Sequence, residues 1–151
     1  MILGIVGSEG GKFTPITEMR ARGIIAAQIE NYNASKVVSG ACHLGGIDVW
    51  AIQEARGVGC ETEEFPPAFR SWQGYKRRNI QIAECADVVI CITVESLPPG
   101  FKKGGWEEYC YHCKPTRPED QHIKSGGCWT AKYAREKLGK IGEIIVIRDP
   151  D

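Results

Sequence analysis

Four side chains of the types that bind metal ions lie close together in the last third of the chain. They form the pattern C-x2-C-x8-H-x5-C, which consists of Cys110, Cys113, His122 and Cys128. Zinc prefers four tetrahedral nitrogen or sulfur ligands, and two thiolates separated by two residues can bind it from one turn. The spacing matches no standard zinc finger, and His112 competes with His122 as the nitrogen ligand. The sequence therefore predicts a structural zinc site in which either histidine is the nitrogen ligand.

The segment around these side chains, residues 95–128, is rich in proline and glycine. A loop of this length without secondary structure is uncommon in a compact domain unless something orders it. A bound metal ion can supply that order, because the free energy of metal binding contributes to folding. We therefore interpret residues 95–128 as an inserted, zinc-binding loop within a single domain of residues 1–151.

A second stretch with the residue types of a binding site is K-V-V-S-G-A-C-H-L-G-G-I-D-V-W, residues 36–50. It begins with the apolar pattern of a buried strand, turns at Gly45 and Gly46, and takes up helical spacing near Asp48. Glycines allow the backbone to approach a ligand, and the first N–H groups of a helix favour an anion, usually a phosphate. Tight turns also use glycine for steric reasons alone, so the stretch predicts either a phosphate site or a simple turn. We interpret His43 in this turn as a ligand contact rather than a catalytic base.

Length and composition indicate an ordinary globular domain. The chain has 151 residues, of which 42% are hydrophobic and 25% charged, and its 19 basic residues equal its 19 acidic ones. No overall basic field is available to attract nucleic acid. Several of the seven cysteines lie in apolar contexts, which indicates a reducing compartment. No targeting segment or membrane-spanning run is evident, so we expect a cytoplasmic protein.

Apolar runs of strand length alternate with segments of helical spacing along the chain. The predicted strands are residues 2–6, 37–38, 60–65, 87–94 and 143–147, and the predicted helices begin at Pro15, near Asp48, at Lys76 and at Trp129. This order predicts an α/β fold with three layers, in which about five mostly parallel strands carry helices on both faces. Ligands bind such sheets beyond the carboxyl ends of the strands. We expect the loops at residues 7–12, 39–46, 93–96 and 125–130 to meet there.

Three consecutive cations, Lys76, Arg77 and Arg78, fall in the predicted first turn of a helix. Positive charge is unfavourable at this end of the helix dipole unless an anion lies nearby. The run therefore indicates either an anion site or a solvated basic turn.

Three motifs, in this order, resemble those of the SLOG superfamily of Rossmann-like proteins, especially the DNA-processing protein A branch and the small YspA-like members. S-G-A-C-H-L-G-G-I-D at residues 39–48 is similar to the superfamily's S-G-x-A-x-G-I-D turn with one residue inserted. Arg78 and Asn79 are similar to its R-N pair, and S-G-G-C-W-T-A at residues 125–131 is similar to its second phosphate loop. The resemblance covers about the whole chain apart from the insertion.

The resemblance implies that the chain binds a nucleotide or a nucleotide-derived ligand, as a sensor or a sequestering module. The phosphate contacts that it implies are Ser8, Ser39, Gly40, Gly45, Gly46, Arg78, Gly126, Gly127 and Thr130. Glu9, His43 and Asn79 complete the predicted ligand site, and Asp48 would cap the second helix or orient the turn. A homo-oligomer is left open.

Two alternative functions follow from related branches of the same superfamily. The phosphoribohydrolases, which cleave the N-glycosidic bond of a nucleoside monophosphate, use P-G-G-x-G-T-x-x-E. This chain has Trp129 at the second-glycine position and Tyr133 at the glutamate position, which leaves Glu9, Glu95 or Glu136 as a candidate acid or base.

The other alternative is binding of single-stranded DNA, as in the DNA-processing branch. The basic residues that would carry it are Lys76, Arg77, Arg78, Lys102 and Lys103. The neutral net charge argues against this function, since phosphate contacts usually leave a basic excess.

Overall fold

The computed structural model describes residues 1–101, 110, 122–123 and 125–148 of the chain. The strands are β1 (Ile2–Gly7), β2 (Lys36–Ser39), β3 (Glu61–Glu64), β4 (Val88–Val94) and β5 (Ile141–Ile147). The helices are α1 (Pro15–Asn31), α2 (Ile47–Gly57), α3 (Trp72–Cys85) and α4 (Gly126–Leu138), with a short 3-10 helix at Gly10–Lys12. The strands form one parallel sheet in the order β3-β2-β1-β4-β5.

The helices cover both faces of this sheet, which confirms the predicted three-layer, Rossmann-like architecture. Helices α1 and α2 pack on one face, over a core that includes Leu3 and Ile90. Helices α3 and α4 pack on the other face, over a core that includes Val89 and Ala131. Strand β4 pairs with β1 and β5 and is buried along its whole length, as its continuous apolar sequence predicts.

Helix α1 begins where the sequence predicts, because Thr14 and Thr17 cap it reciprocally. The hydroxyl of Thr14 accepts a hydrogen bond from the N–H of Thr17 at 3.1 Å, and the Thr17 hydroxyl accepts from the N–H of Thr14 at 2.7 Å. Pro15 at the first helical position has its backbone angle preset and leaves no unsatisfied N–H. This start positions the loop before α1 beside the carboxyl end of β1.

Helix α3 begins at Trp72, so the predicted start at Lys76 is wrong. Residue 74, in the first turn of this helix, is a glycine because a Cβ at this position would overlap the carbonyl oxygen of Phe69. Consequently Lys76 and Arg77 occupy the second turn, where the dipole argument no longer applies, and both are exposed.

Helix α4 begins at Gly126, three residues before the predicted start at Trp129. The hydroxyl of Ser125 accepts a hydrogen bond from the N–H of Gly127 at 3.0 Å and so caps the helix. Gly127 lies against β1, since a Cβ there would be only 2.7 Å from the backbone nitrogen of Gly7. Gly127 therefore serves close packing of a helix against β1, whereas a Cβ on Gly126 would meet nothing within 4 Å.

The described part of the insertion is tied to the end of β4. The N–H of Ile123 donates to the carbonyl oxygen of Val94 at 2.9 Å, and the N–H of Cys110 donates to that of His122 at 3.0 Å. His112, Cys113, Lys102 and Lys103 lie outside the described residues. In the part of the chain that the structure describes, no helix has both the length and the apolar character needed to cross a membrane.

Candidate functional site

A pocket of about 340 Å³ opens at the carboxyl edge of the sheet. The loops that follow β1 and β2 meet there with one side of α3 and the start of α4, as expected for a parallel sheet. The loop at residues 93–96, which was also expected there, does not line the pocket. The predicted ligand residues that line it are Ser8, Glu9, Gly40, His43, Asp48, Arg78, Asn79, Gly126 and Gly127. Its volume lies within the range of about 300 to 1,000 Å³ that is typical of small-molecule sites.

The guanidinium of Arg78 is held on three sides at the wall of this pocket. Its Nη1 donates to the carbonyl oxygen of Gly40 at 3.1 Å, and its Nε donates to Oδ1 of Asn79 at 2.9 Å. The Arg78 Cζ lies 5.6 Å from the centre of the Tyr75 ring, which is a cation–π distance. Within the described residues Nη2 has no hydrogen-bond partner. A guanidinium oriented in this way can bind a carboxylate or phosphate with little loss of side-chain freedom.

Asp48 lies in the pocket wall next to Arg78 and is almost fully buried. Its Oδ1 is 3.2 Å from the hydroxyl of Ser39, and its carboxylate accepts a hydrogen bond from the backbone N–H of Cys42. Burial raises the pKa of Asp48 to about 6, although Arg78 and these hydrogen bonds favour its charged form. Asp48 therefore joins β2 to the turn after it. It does not cap α2, because the N-cap position is Gly46.

Gly40 makes room for both charged groups. A Cβ at this position would lie 2.5 Å from Nη1 of Arg78 and 2.7 Å from Oδ2 of Asp48. Any side chain at residue 40 would therefore displace at least one of them. The motif S-G at residues 39–40 thus has a steric reason that is specific to this pocket.

A second cation, Lys12, also lines the pocket and was not among the predicted ligand residues. It lies in the short 3-10 helix after β1, and its Nζ is 3.7 Å from Oε1 of Glu9. Burial lowers the pKa of Lys12, and the charge of Glu9 opposes that effect. In the sequence Lys12 lies at the end of a polar, glycine-rich loop, where a lysine is usually exposed. Its position in a predicted ligand loop was the one available signal.

Four predicted ligand residues support the pocket from behind rather than lining it: Ser39, Gly45, Gly46 and Thr130. Ser39 is buried with its hydroxyl 2.5 Å from the carbonyl oxygen of Ile5, and the Thr130 hydroxyl donates to the carbonyl oxygen of Gly126 at 3.2 Å. Gly45 and Gly46 have φ angles of 75° and 87°, which glycine adopts readily.

The turn at Gly45 and Gly46 lets the loops after β1 and β2 bond to each other. The N–H of Ile47 donates to the carbonyl oxygen of Ser8 at 3.1 Å, and the N–H of Gly10 donates to that of Leu44 at 3.3 Å. The two loops consequently form one wall of the pocket.

Another part of the wall is apolar and aromatic, and none of its side chains is among the predicted ligand residues. Its side chains include Pro67, Trp72 and Tyr75. Trp72 and Tyr75 precede the predicted helix start at Lys76, so that prediction does not include the helical spacing that turns them toward the same side. A run of Pro-Pro followed by Gly74 hides this helix start from a reading based on propensity.

Cys110, His122 and Cys128 form a group that could hold a metal ion. All three are buried, and their candidate ligand atoms lie within 4.8 Å of one another. The two sulfur atoms are 3.6 Å apart. That distance is far beyond a disulfide bond of about 2.05 Å, but it is close to the roughly 3.8 Å edge of a tetrahedron with zinc–sulfur bonds of about 2.3 Å.

The tautomer of His122 suits this role. Its Nδ1 lies 3.0 Å from the carbonyl oxygen of Ile123, and because a carbonyl can only accept, Nδ1 carries the proton. In the neutral ring the lone pair then belongs to Nε2. A backbone carbonyl that fixes the ring in this way is the usual second partner of a metal-binding histidine.

The metal group and the pocket are separate but adjacent. None of the three described ligand side chains lines the pocket. Cys128, however, is the third residue of α4 and directly follows Gly126 and Gly127, which do. The metal group therefore lies behind the pocket wall, where it can hold the start of α4 without contacting a ligand.

Among the described candidates for catalysis or DNA binding, only Glu9 and Arg78 line the pocket. Of the three candidate acids only Glu9 lines the pocket, since Glu95 pairs with Arg148 at 3.3 Å and Glu136 is exposed along α4. Lys76 and Arg77 are exposed, and only Arg78 turns to the pocket. Comparison of the chain with protein-family models and with curated proteins finds no match.

Proposed function

We propose that the pocket binds a nucleotide or a nucleotide-derived ligand. The observation that carries this proposal is the guanidinium of Arg78, which is fixed by Gly40, Asn79 and Tyr75 and lines the same pocket as the first residues of α4. An oriented guanidinium and the N-terminus of a helix both favour a phosphate. The resemblance of residues 39–48 and 125–131 to SLOG phosphate loops supports the same ligand class.

The other charges of the pocket favour a ligand that is more than a phosphate. Glu9 accompanies Lys12, and Asp48 lies near Arg78, so each cation has a carboxylate neighbour. Carboxylates accept hydrogen bonds, and a sugar hydroxyl or a base amino group can donate them. A nucleotide offers all of these groups in one molecule.

Binding without turnover is the form of this function that the side chains favour. Tyr133 occupies the position of the hydrolase glutamate, and Glu136 is exposed and does not line the pocket. We expect no release of free base when the protein is incubated with AMP or GMP and the mixture is analysed by chromatography. Release of base that disappears in a Glu9→Gln variant would establish the N-glycosidase alternative instead.

A thermal-shift screen with AMP, GMP, cyclic dinucleotides and ADP-ribose tests the binding proposal, because a ligand of the folded state raises the unfolding temperature. For the best ligand, Arg78→Ala should weaken binding about ten-fold or more, as expected for loss of a charge-assisted hydrogen bond worth about 1.5–3 kcal/mol. Arg77→Ala is the matched control, since Arg77 is exposed on the same helix. Equal losses in the two variants, or no shift with any compound, would refute the proposal.

We also propose that the metal held by Cys110, His122 and Cys128 is a structural zinc, with Cys113 as the fourth ligand. The sulfur separation, the burial of the three ligands and their position behind the pocket wall support a closed site. Metal analysis should find one zinc per chain, which Cys110→Ser should remove. Cys85→Ser is the control at a cysteine outside this group.

A further inference from the structure

We infer that Trp72 and Tyr75 form the subsite for a flat aromatic ring, so that the ligand is a nucleoside phosphate held by its base at one end and its phosphate at the other. This inference rests on the proposed function. Both side chains line the pocket, on the side where α3 begins. Aromatic side chains bind nucleobases by stacking, which tolerates any base because every base has a π face.

The ring of Trp72 is held in place although it is 53% exposed. Its indole meets Trp129 edge to face, with ring centres 5.4 Å apart and planes at 88°. Trp129 in turn stacks on Tyr133, with centres 5.2 Å apart and planes at 16°. Such contacts restrict the orientation of an otherwise exposed side chain. A ligand that stacks on Trp72 therefore loses little free energy in ordering it.

The spacing along α3 separates the two ends of the subsite. Trp72, Tyr75 and Arg78 recur every three residues, which places them on one side of the helix, and all three line the pocket. At a rise of about 1.5 Å per residue, the Cα atoms of Trp72 and Arg78 are about 9 Å apart along the helix. The helix thus presents a ring at one end and a cation at the other, a pattern that matches a base joined through a sugar to a phosphate.

Leu44 and Phe69 are also exposed near this wall, so the same rings could instead belong to a surface for another protein. The position of Trp72 and Tyr75 beside the fixed guanidinium of Arg78 favours a small ligand. The two roles differ in their effect on binding: a stacking role for Trp72 predicts that replacing it weakens only ligands that carry a base.

Titration calorimetry with AMP and with ribose 5-phosphate tests the inference, because the second compound lacks the base. Trp72→Ala should weaken AMP binding about five- to 150-fold, the equivalent of about 1–3 kcal/mol per stacked base. The same variant should bind AMP no more tightly than ribose 5-phosphate, whose affinity should not change. Trp72→Phe should retain most of the AMP affinity, whereas Arg78→Ala should weaken both compounds.

The possible results separate this inference from the function on which it rests. AMP binding that is lost in Arg78→Ala but unchanged in Trp72→Ala would overturn the stacking subsite and leave the proposed function intact. An equal loss of both compounds in Trp72→Ala would assign Trp72 a structural role and would also overturn the inference. If neither compound binds the unmodified protein and no nucleotide of the thermal-shift screen raises its unfolding temperature, the proposed function itself fails.

Discussion

At the scale of single residues, the pocket depends most directly on the absence of a side chain at Gly40. A methyl group there would approach both Nη1 of Arg78 and Oδ2 of Asp48 to within 2.7 Å. Because Arg78 also donates to the carbonyl oxygen of Gly40, displacing the guanidinium breaks a contact that orients it. We expect Gly40→Ala to weaken AMP binding by about ten-fold or more, measured by calorimetry, because the charge-assisted contact from Arg78 is misplaced.

Gly23→Ala is the matched control for this substitution. Gly23 is exposed in the middle of α1, and a Cβ there would meet nothing within 4 Å. Alanine in a helix interior is more stable than glycine by about 0.5–1 kcal/mol, so this variant should unfold at a higher denaturant concentration and bind AMP normally. AMP affinity that survives Gly40→Ala would show that Arg78 does not need its present position.

Asp48 should make the free energy of unfolding depend on pH, which can be measured without a ligand. Its pKa is raised from 3.8 to about 6 by burial, with Glu64 adding to the shift and Arg78 opposing it. Between these two values the folded chain binds more protons than the unfolded chain, so the free energy of unfolding falls as the pH rises. Above about pH 6 Asp48 is ionised in both states, and the loss of stability is complete.

Asp48→Asn should remove this dependence, because the amide does not titrate. We expect the stability of the unmodified protein relative to Asp48→Asn to decline as the pH is raised from about 4 to 6 and then to level off. Denaturant unfolding of both proteins at several pH values measures the difference. A difference that stays constant over this range would mean that the pKa of Asp48 is not raised in the folded chain.

At the scale of elements, the starts of α3 and α4 separate what the sequence reveals from what it hides. The alternation of apolar strands with helical spacing predicts the sheet and its two helical layers because these features are local in the chain. The start of α4 at Gly126 cannot be predicted from local sequence. A glycine is needed at residue 127 because the helix packs against the backbone of Gly7, which is distant in the chain. Likewise, α3 needs a glycine at residue 74 because the carbonyl group of Phe69 leaves no room for a Cβ.

The same distinction applies to the residues of the pocket. Gly40 and Arg78 could be predicted because they belong to sequence motifs. Lys12 was predicted only as part of the loop at residues 7–12, and Trp72 was not predicted, because a lysine after two glycines and a tryptophan after a proline-rich loop are typical of exposed positions. Only the tertiary structure, which brings the loop after β1 against the side of α3, shows that both line one pocket.

The capping residue of α4 should affect both stability and ligand affinity. Ser125 bonds to the N–H of Gly127 and itself lines the pocket. Ser125→Ala should lower the free energy of unfolding by about 1 kcal/mol, the usual effect of losing an N-cap, and should also weaken AMP binding by loosening the first turn. Thermal unfolding and calorimetry measure the two effects.

Thr14→Ala separates these effects, because Thr14 caps α1 and does not line the pocket. It should lower stability by a similar amount and leave AMP affinity unchanged. If both variants reduce the affinity equally, the effect of Ser125→Ala reflects general loss of stability rather than the start of α4.

At the scale of the whole molecule, the sheet and the metal group are held by different interactions. The two cores on either side of the sheet are built from apolar side chains of the strands and helices, and β4 is buried along its length. Of the metal group, Cys110 and Cys128 contribute to the core between the sheet and α3 with α4. We therefore expect the free energy that stabilises the sheet to come mainly from burial of apolar surface rather than from an ion bound at the metal group.

Removing the metal should consequently loosen the pocket without unfolding the sheet. Cys128 lies one residue beyond Gly127, so a metal bound to it would fix the first turn of α4, whose Gly126 and Gly127 line the pocket. Protein stripped with a chelator should keep its far-ultraviolet circular dichroism but bind AMP about three- to ten-fold more weakly, because ligand binding must then order the loop.

Adding zinc back should restore the affinity, and Cys110→Ser should behave like the stripped protein whether or not zinc is added. Cys85→Ser, whose cysteine lies outside the metal group, should retain both metal and affinity. Stripped protein that binds AMP as tightly as the zinc form would show that the metal group and the pocket are independent. Loss of the circular dichroism signal on stripping would show instead that the sheet itself requires the metal, since apolar burial alone would then be insufficient to fold the chain.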